Sequence, residues 1–292
     1  MEETVDDDGG LSMTDYLKHK YDLNNKDFAS IIDELSFWSS RFGRLLFDQI
    51  KIRGGIEILD VGCGNGFPLF ELAHVFGSSC RITGFDIWKT ALTRARLKQR
   101  LYDLPNVRIV EADGARLPFA SSTFDLIVSN LGLNNWSEPG AVLAECFRVA
   151  KPGAGMALTT NVVGHYGEFY DLFRETLREM DKPEYLERLS AQEAHRGTLE
   201  SLCGLLGEAG WTIVKVIEEK FQMRFLDGSA LLNHSLTGIG FLGGWRSVVD
   251  EDEERPVFER IEGKLNEIAR RNGELRMTVP MLYLEAGKAT QG

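Results

Sequence analysis

Ile58-Leu59-Asp60-Val61-Gly62-Cys63-Gly64-Asn65-Gly66 carries the reading of this chain. An apolar strand runs into an acid and then into glycine at alternate positions, where the missing Cβ lets the backbone turn tightly and lets a ligand lie against it. The acid stands two residues before the first glycine. A carboxylate there repels a dinucleotide pyrophosphate and suits a ligand of positive charge. The glycine spacing agrees, because the phosphate-binding pattern G-x-G-x-x-G needs a third glycine at position 67, which is Phe67. Working outward, a second apolar run ends in Gly84-Phe85-Asp86-Ile87-Trp88, with Asp86 twenty residues past Gly66. A carboxylate so placed accepts from both hydroxyls of a ribose, although a solvated strand-end acid would look the same in sequence. A third run ends in Glu111-Ala112-Asp113-Gly114-Ala115 ahead of Leu117-Pro118-Phe119, and a fourth in Ser129-Asn130-Leu131-Gly132-Leu133-Asn134-Asn135-Trp136.

With these motifs in place the chain resembles class I S-adenosylmethionine (SAM)-dependent methyltransferases, whose first motif is D-x-G-x-G-x-G. SAM brings an ammonium and a sulfonium to the acid. The resemblance implies that Asp60, Gly62, Cys63, Gly64 and Gly66 form the cofactor turn and that Asp86 takes the ribose, with Ile87 beside it. Asp113 would receive the exocyclic amine of adenine, with Gly114 and Ala115 adjoining, and Asn130 and Leu131 would lie along the methionine part. A plain Asp-Gly turn is the alternative for Asp113. Tyr21 and Trp136 could close over the methyl donor, since an aromatic face attracts a cation, but core packing is the commoner role of such rings.

Apolar runs alternate with helical patterns from Ile56 onward, which predicts an α/β fold with a parallel sheet covered on both faces. Strands are expected at 57–60, 81–85, 107–111, 124–129 and 155–161, with helices at 68–76, 89–102 and 138–150. A helix at 199–208 is closed by Gly210, and 211–223 and 277–285 read as strands, the last weakened by Pro280. The resembled fold is a three-layer, Rossmann-like, seven-stranded mixed sheet with one antiparallel strand. Residues 51–292 are expected to form that core, including a helical connection at 163–197 and an insertion at 227–274 that reads either as a lid or as an extension of the core. Ahead of it, residues 1–50 carry Ile31, Leu35, Trp38, Phe42, Leu45 and Leu46 at helical spacing, a helical segment expected to cover the cofactor site.

Composition narrows the partners. The chain has 292 residues, 43% hydrophobic and 26% charged, with a formal net charge of -11, a balance that disfavours a nucleic-acid backbone. A basic run, Arg94, Arg96, Lys98 and Arg100, reads as one solvated helix face. No apolar run is long enough to span a bilayer, and the acidic start Glu2, Glu3 and Asp6 to Asp8 lacks secretory features. Cys63, Cys80, Cys146 and Cys203 make no C-x-x-C pair, so reduced thiols and a cytoplasmic setting are expected. His and Cys lack ligand spacing, so no metal is expected.

The loop after the fourth run bears on substrate. Asn130 lacks the prolines of the N/D-P-P-Y/F motif that methyltransferases acting on amino groups of DNA bases and glutamine often carry. Phe124-Asp125, Gly132-Leu133-Asn134-Asn135, Glu145, Arg148-Val149 and Lys151-Pro152-Gly153 are instead similar to quinone-biosynthesis C-methyltransferases of the small-molecule branch. Asn134 stands where those read Arg, and Ala154 where they read a second Gly. Methyl transfer needs collinear nucleophile, carbon and sulfur, exclusion of water and, for a hydroxyl or carbon acid, removal of one proton. His165 and His234 are the candidates for that last task, though a lone histidine more often only satisfies hydrogen bonds. Asn135, Trp136, Tyr166 and Arg224 are candidate substrate contacts. The expected activity is methyl transfer from SAM, leaving S-adenosylhomocysteine (SAH), to a small and possibly apolar or carrier-linked acceptor. An NAD(P)-dependent oxidoreductase and a noncatalytic SAM-binding protein are the competing readings, and the oligomeric state stays open.

Overall fold

A computed structural model of the chain describes Asp22, residues 24–27 and residues 37–290. Ile31, Leu35 and Tyr21 lie outside the described residues. In chain order the elements are α1 (Ser39–Gln49), β1 (Glu57–Val61), α2 (Leu69–Phe76), β2 (Arg81–Asp86), α3 (Lys89–Leu101), β3 (Val107–Glu111), β4 (Phe124–Asn130), α4 (Pro139–Val149) and β5 (Ala150–Asn161). There follow α5 (Gly167–Glu179), α6 (Leu186–Ala194), α7 (Leu199–Glu208), β6 (Thr212–Phe225), α8 (Gly228–Asn233), α9 (Ser235–Gly240), α10 (Leu242–Arg246), α11 (Glu251–Asn272) and β7 (Leu275–Gly287). These divide into two compact units, an α/β unit of Asp22–Val163, His195–Phe221 and Pro280–Gly292, and a helical unit that includes Gly164–Ala194 and Gln222–Val279.

The strands form one seven-stranded sheet in the order β3-β2-β1-β4-β5-β7-β6. β1 pairs in parallel with β2 and β4, β2 with β3, and β4 with β5, while β7 runs antiparallel to β5 from Gly155↔Gly287 to Asn161↔Met281. The fold class is therefore the one expected. Chain order reverses between β1 and β4, and at such a switch point an open parallel sheet leaves a crevice beyond its strand carboxyl ends. Ile58, Leu59, Val61, Ile127 and Val128 are buried, as strands covered on both faces require.

The start of β5 departs furthest from the sequence reading. β5 begins at Ala150 rather than 155, because Phe124 pairs with Ala150 and Leu126 with Gly155 across a register shift. The Pro152-Gly153 step sits inside that irregularity, where a proline can be accommodated. Pro280 lies inside β7, just beyond Met281, the last β7 residue paired to β5. The motif pairs shared with the resembled branch are scaffolding here. The Asp125 carboxylate accepts from Glu57 N (3.0 Å) and Lys151 Nζ (2.7 Å), joining β1, β4 and β5. Glu145 accepts from Leu117 N (2.8 Å) and grips Arg148, whose guanidinium also donates to the Leu117 and Phe119 carbonyls (3.0 and 2.8 Å). That network fixes the loop that follows β3.

Within the α/β unit α1 buries Phe42, Leu45 and Leu46. A Cβ on Gly43 would stand 2.3 Å from the tip of the Phe67 ring, so glycine permits this close approach. The basic run on α3 does not share one face: residues two apart lie about 200° apart around a helix, and Arg94, Arg96 and Lys98 are half-buried.

In the helical unit α5 buries Phe169, Tyr170, Phe173 and Leu177. The Trp245 ring stacks on Phe169 at 3.9 Å, and its Nε1 donates to the Tyr170 hydroxyl (3.2 Å). The Gly-interrupted apolar stretch forms the short helices α8, α9 and α10, and the acidic run Asp250 to Glu254 is the amino-terminal cap and first turn of α11, where negative charge opposes the helix dipole. Lys264 pairs with Glu175 (3.1 Å) and Glu179 (2.8 Å), Lys182 with Glu253, and Arg246 with Glu254. No helix among the described residues is long and apolar enough to cross a membrane.

Candidate functional site

The turn between β1 and α2 is built from three glycines with positive φ, Gly62 (79°), Gly64 (47°) and Gly66 (105°). Their requirements differ. A Cβ on Gly66 would lie 2.0 Å from the Phe70 ring, so this glycine serves close packing as well as the turn. A Cβ on Gly64 would meet nothing within 4 Å, so clear space lies over the middle of the turn. Gly62 N and Cys63 N both donate to the Phe85 carbonyl (3.0 Å each), which ties the turn to β2. A backbone clear of side chains, beside strand-end acids, fits an adenosyl ligand bearing cationic groups.

The two acids of the site are treated differently by their surroundings. Asp86 ends β2, and its Oδ2 accepts from Gly64 N (2.9 Å) while Oδ1 accepts from Trp88 N (2.8 Å). It holds the turn closed and keeps lone pairs over, since each carboxylate oxygen can accept twice. The sequence placed Asp60 at the lip of the turn, but the structure puts it underneath, fully buried, with no hydrogen-bond partner for either carboxylate oxygen. The reason is position: Asp60 is the fourth residue of β1, flanked in the ladder by Gly84 and Val128, with Leu69 at the start of α2 beside its carboxyl. Burial pushes its carboxyl well above the usual range, and the neighbouring charge of Asp86 pushes the same way, against a smaller lowering from the Leu69 backbone N–H. Burial also raises the Cys63 thiol, with Asp60 and Asp86 adding to it. Cys146, enclosed in the core, is pushed up to about 12, and the four cysteines are free thiols.

Around this turn Ile87 is 74% exposed, an apolar side chain standing in solvent directly after Asp86. Asp113 is exposed and its Oδ1 accepts from Ala115 N (3.0 Å). Gly114 lies against Val142. Asn130, read as a cofactor contact, has its side chain engaged elsewhere: Nδ2 donates to Ser39 O (3.2 Å) and Oδ1 accepts from Thr159 Oγ1 (2.8 Å). Leu131 has φ 64° and its N–H donates to Thr159 O (2.9 Å). Asn135 donates to the Leu131 carbonyl (3.1 Å), and Trp136 is half-buried against the core.

One pair escaped the sequence reading. Asn134 Nδ2 donates to both the backbone carbonyl (2.8 Å) and Oδ1 (2.9 Å) of Asn161, the last residue of β5. The carbonyl can only accept, so Asn134 must present its NH2, Asn161 must present Oδ1, and the buried Asn161 Nδ2 is left without an acceptor. An amide side chain closing β5 at its carboxyl edge was the available signal.

The remaining candidates belong to the helical unit. His165 is buried, its ring stacked on Tyr166 (4.1 Å) and tilted against Phe241 (4.7 Å). Tyr166, taken for a substrate contact, is fully buried and its hydroxyl bonds to Met223 Sδ (3.1 Å), a packing role. His234 Nδ1 accepts from Leu236 N (3.2 Å) as the cap of α9, and burial lowers its pKa. Arg224 pairs with Glu274 through Nε (2.7 Å) at the surface, a structural ion pair rather than a free cation. Among the described residues no group of three His, Cys, Asp or Glu side chains is placed to hold a metal.

Against known proteins, residues 59–158 match a family model described as a methyltransferase domain. A demethylmenaquinone methyltransferase of Listeria monocytogenes serotype 4b is 29% identical over 177 residues, covering 58% of this chain and 75% of that protein. A solved methyltransferase structure from Bacillus halodurans C-125 superposes with a TM-score of 0.56 at 16% identity, covering 87% of this chain and 99% of that one. Haemonchus contortus phosphoethanolamine N-methyltransferase 2, solved with phosphomonomethylethanolamine and SAH, gives 0.54 at 16% identity, covering 96% of this chain and 61% of that one. At such identity the structural likeness speaks for the fold.

Proposed function

We propose that this chain, whose residues 59–158 match a methyltransferase domain, transfers the SAM methyl group to a small organic acceptor of the quinol or phenol kind. The observation that carries the reading is the clear space over Gly64 next to Asp86, whose carboxylate already holds the turn and has lone pairs left for ribose hydroxyls. Gly62, Gly64 and Gly66 would cradle the ligand by backbone alone, Ile87 would pack on adenine, and the Asp113 loop would face its edge. SAM would supply an activated methyl on a positively charged sulfur, which leaves as a neutral thioether. The protein then has to orient the acceptor, keep water out and accept at most one proton.

The acceptor class is drawn from the relatives named demethylmenaquinone methyltransferases. Asn134, in place of the arginine of the resembled branch, is bonded to Asn161 and offers no cation, so an acceptor lacking an anionic group fits this loop.

Isothermal calorimetry with SAH tests the cofactor half. Wild-type protein binds, and NADH titrated in parallel gives no fluorescence enhancement. Incubation with SAM and a panel of quinols and phenols, read by SAH release, tests the acceptor half. Binding without turnover on any of them would leave a noncatalytic SAM-binding protein.

A further inference from the structure

The fully buried Asp60 lies one strand from Asp86, which is engaged with Gly64 N and Trp88 N, while both Asp60 oxygens have no hydrogen-bond partner. What faces it is apolar or negative. β2 contributes Gly84 opposite it in the ladder and Asp86 beyond, and β4 contributes Val128. The next β4 side chain, Ser129, sends its hydroxyl to Val61 O (2.9 Å) instead. The turn contributes the Cys63 thiol, and α2 contributes the Leu69 N–H. Arg96 is the cation whose field reaches Cys63, and among the described residues no Lys or Arg pairs with Asp60. An ionised carboxylate so enclosed, with no cation paired to it and a second carboxylate nearby, is strongly disfavoured against the neutral acid.

We propose that Asp60 is the neutral acid in the free protein and releases its proton when a cationic methyl donor enters the turn, so that cofactor binding and deprotonation are one event. This rests on the cofactor reading above. The sulfonium and ammonium supply the positive charge that the surroundings of Asp60 lack. The proton passes to solvent on binding, and no electrons move. When the methyl leaves, the sulfur loses its charge, and Asp60 takes a proton back from solvent. The same side chain would then favour the charged donor over the neutral-sulfur product, and favour it more as pH rises.

The linkage has a defined sign. A carboxyl whose folded pKa lies above its unfolded value binds more protons in the native state, so the stability of the free protein falls as pH rises past the ordinary carboxylate range. Donor binding offsets that fall.

Calorimetry of SAM and SAH binding in two buffers of different ionisation enthalpy, across the neutral range, reads the proton count directly. The expected result is proton release with SAM, up to about one per site, and an affinity that rises by up to about tenfold per pH unit. SAH releases fewer protons and shows a shallower slope, and Asp60→Asn binds SAM with no proton exchange. Should that variant fail to fold, the wild-type difference between SAM and SAH, with loss of the carboxylic acid C=O infrared band on adding SAM, carries the test. SAM binding without proton exchange, equal release by SAM and SAH, or wild-type release in Asp60→Asn overturns the inference. Failure of both ligands to bind sinks the cofactor reading instead.

Discussion

Charge is handled in opposite ways in the helical unit and at the glycine turn of the α/β unit. In the helical unit, Lys264 sits between Glu175 and Glu179, Arg174 between Asp171 and Glu193, and Asp250 between Tyr185 and Arg188. At the glycine turn of the α/β unit, the fully buried Asp60 carboxyl has no counter-charge, and it stands where the backbone takes three positive φ values in five residues. Paired charges near a surface serve the fold and contribute little each. A buried charge left unpaired costs stability, and proteins retain such costs where a ligand offsets them.

That contrast predicts substitutions that separate binding from folding. The largest effect belongs to Asp86→Ala, which removes the acceptor for Gly64 N and for the ribose; SAH affinity in calorimetry falls about 100-fold, roughly 2.7 kcal/mol. Wild-type affinity in that variant would break the assignment of the turn. Next comes Gly66→Ala, whose Cβ must displace the Phe70 ring and adopt a φ of 105°. Urea unfolding then shows a loss of about 2 to 3 kcal/mol, with weakened SAH binding in the fraction that folds.

Smaller effects come from paired charges in either unit. Arg148, bonded to Glu145, holds that carboxyl below the usual range, so its contribution is present above the ordinary carboxylate pKa and lost as pH falls through the lowered value. Glu145→Gln costs about 1 kcal/mol at neutral pH and flattens the acid side of a pH-stability profile; an unchanged profile removes Glu145 as the tie of the Asp113 loop. Smallest is Lys264→Met, with about 0.5 kcal/mol lost and SAH affinity unchanged. A tenfold affinity change there would blur the distinction between the two units.

The parts of the fold that were legible from sequence are those where local pattern and tertiary demand coincide. Buried parallel strands require apolar runs and glycine turns require glycine, so the early strands fall within a residue of their expected ends. What stayed hidden depends on partners distant in sequence. Ala150 joins β5 because Phe124 pairs with it across a shift that no local pattern encodes. Asp60 was recognised as chemically telling, yet its depth follows from the neighbours Gly84 and Val128 rather than from its own motif. The same holds for Asn130, whose amide is engaged by Ser39 and Thr159, and for Tyr166, whose hydroxyl finds Met223. Conversely, the residues that most resembled a family signature, Asp125, Glu145, Arg148 and Lys151, proved to be ties between strands and loops.

Phe67, which follows the last glycine of the turn, rests its ring on Gly43 of α1. Any side chain at Gly43 must push that ring aside, and the displacement travels through one peptide bond into the ligand cradle. In a saturation-mutagenesis screen scored on enzyme output, Gly43 would therefore stand out as an intolerant position outside the glycine turn. A tunable spring of this kind lets affinity be adjusted from outside the cradle while its own glycines stay as they are.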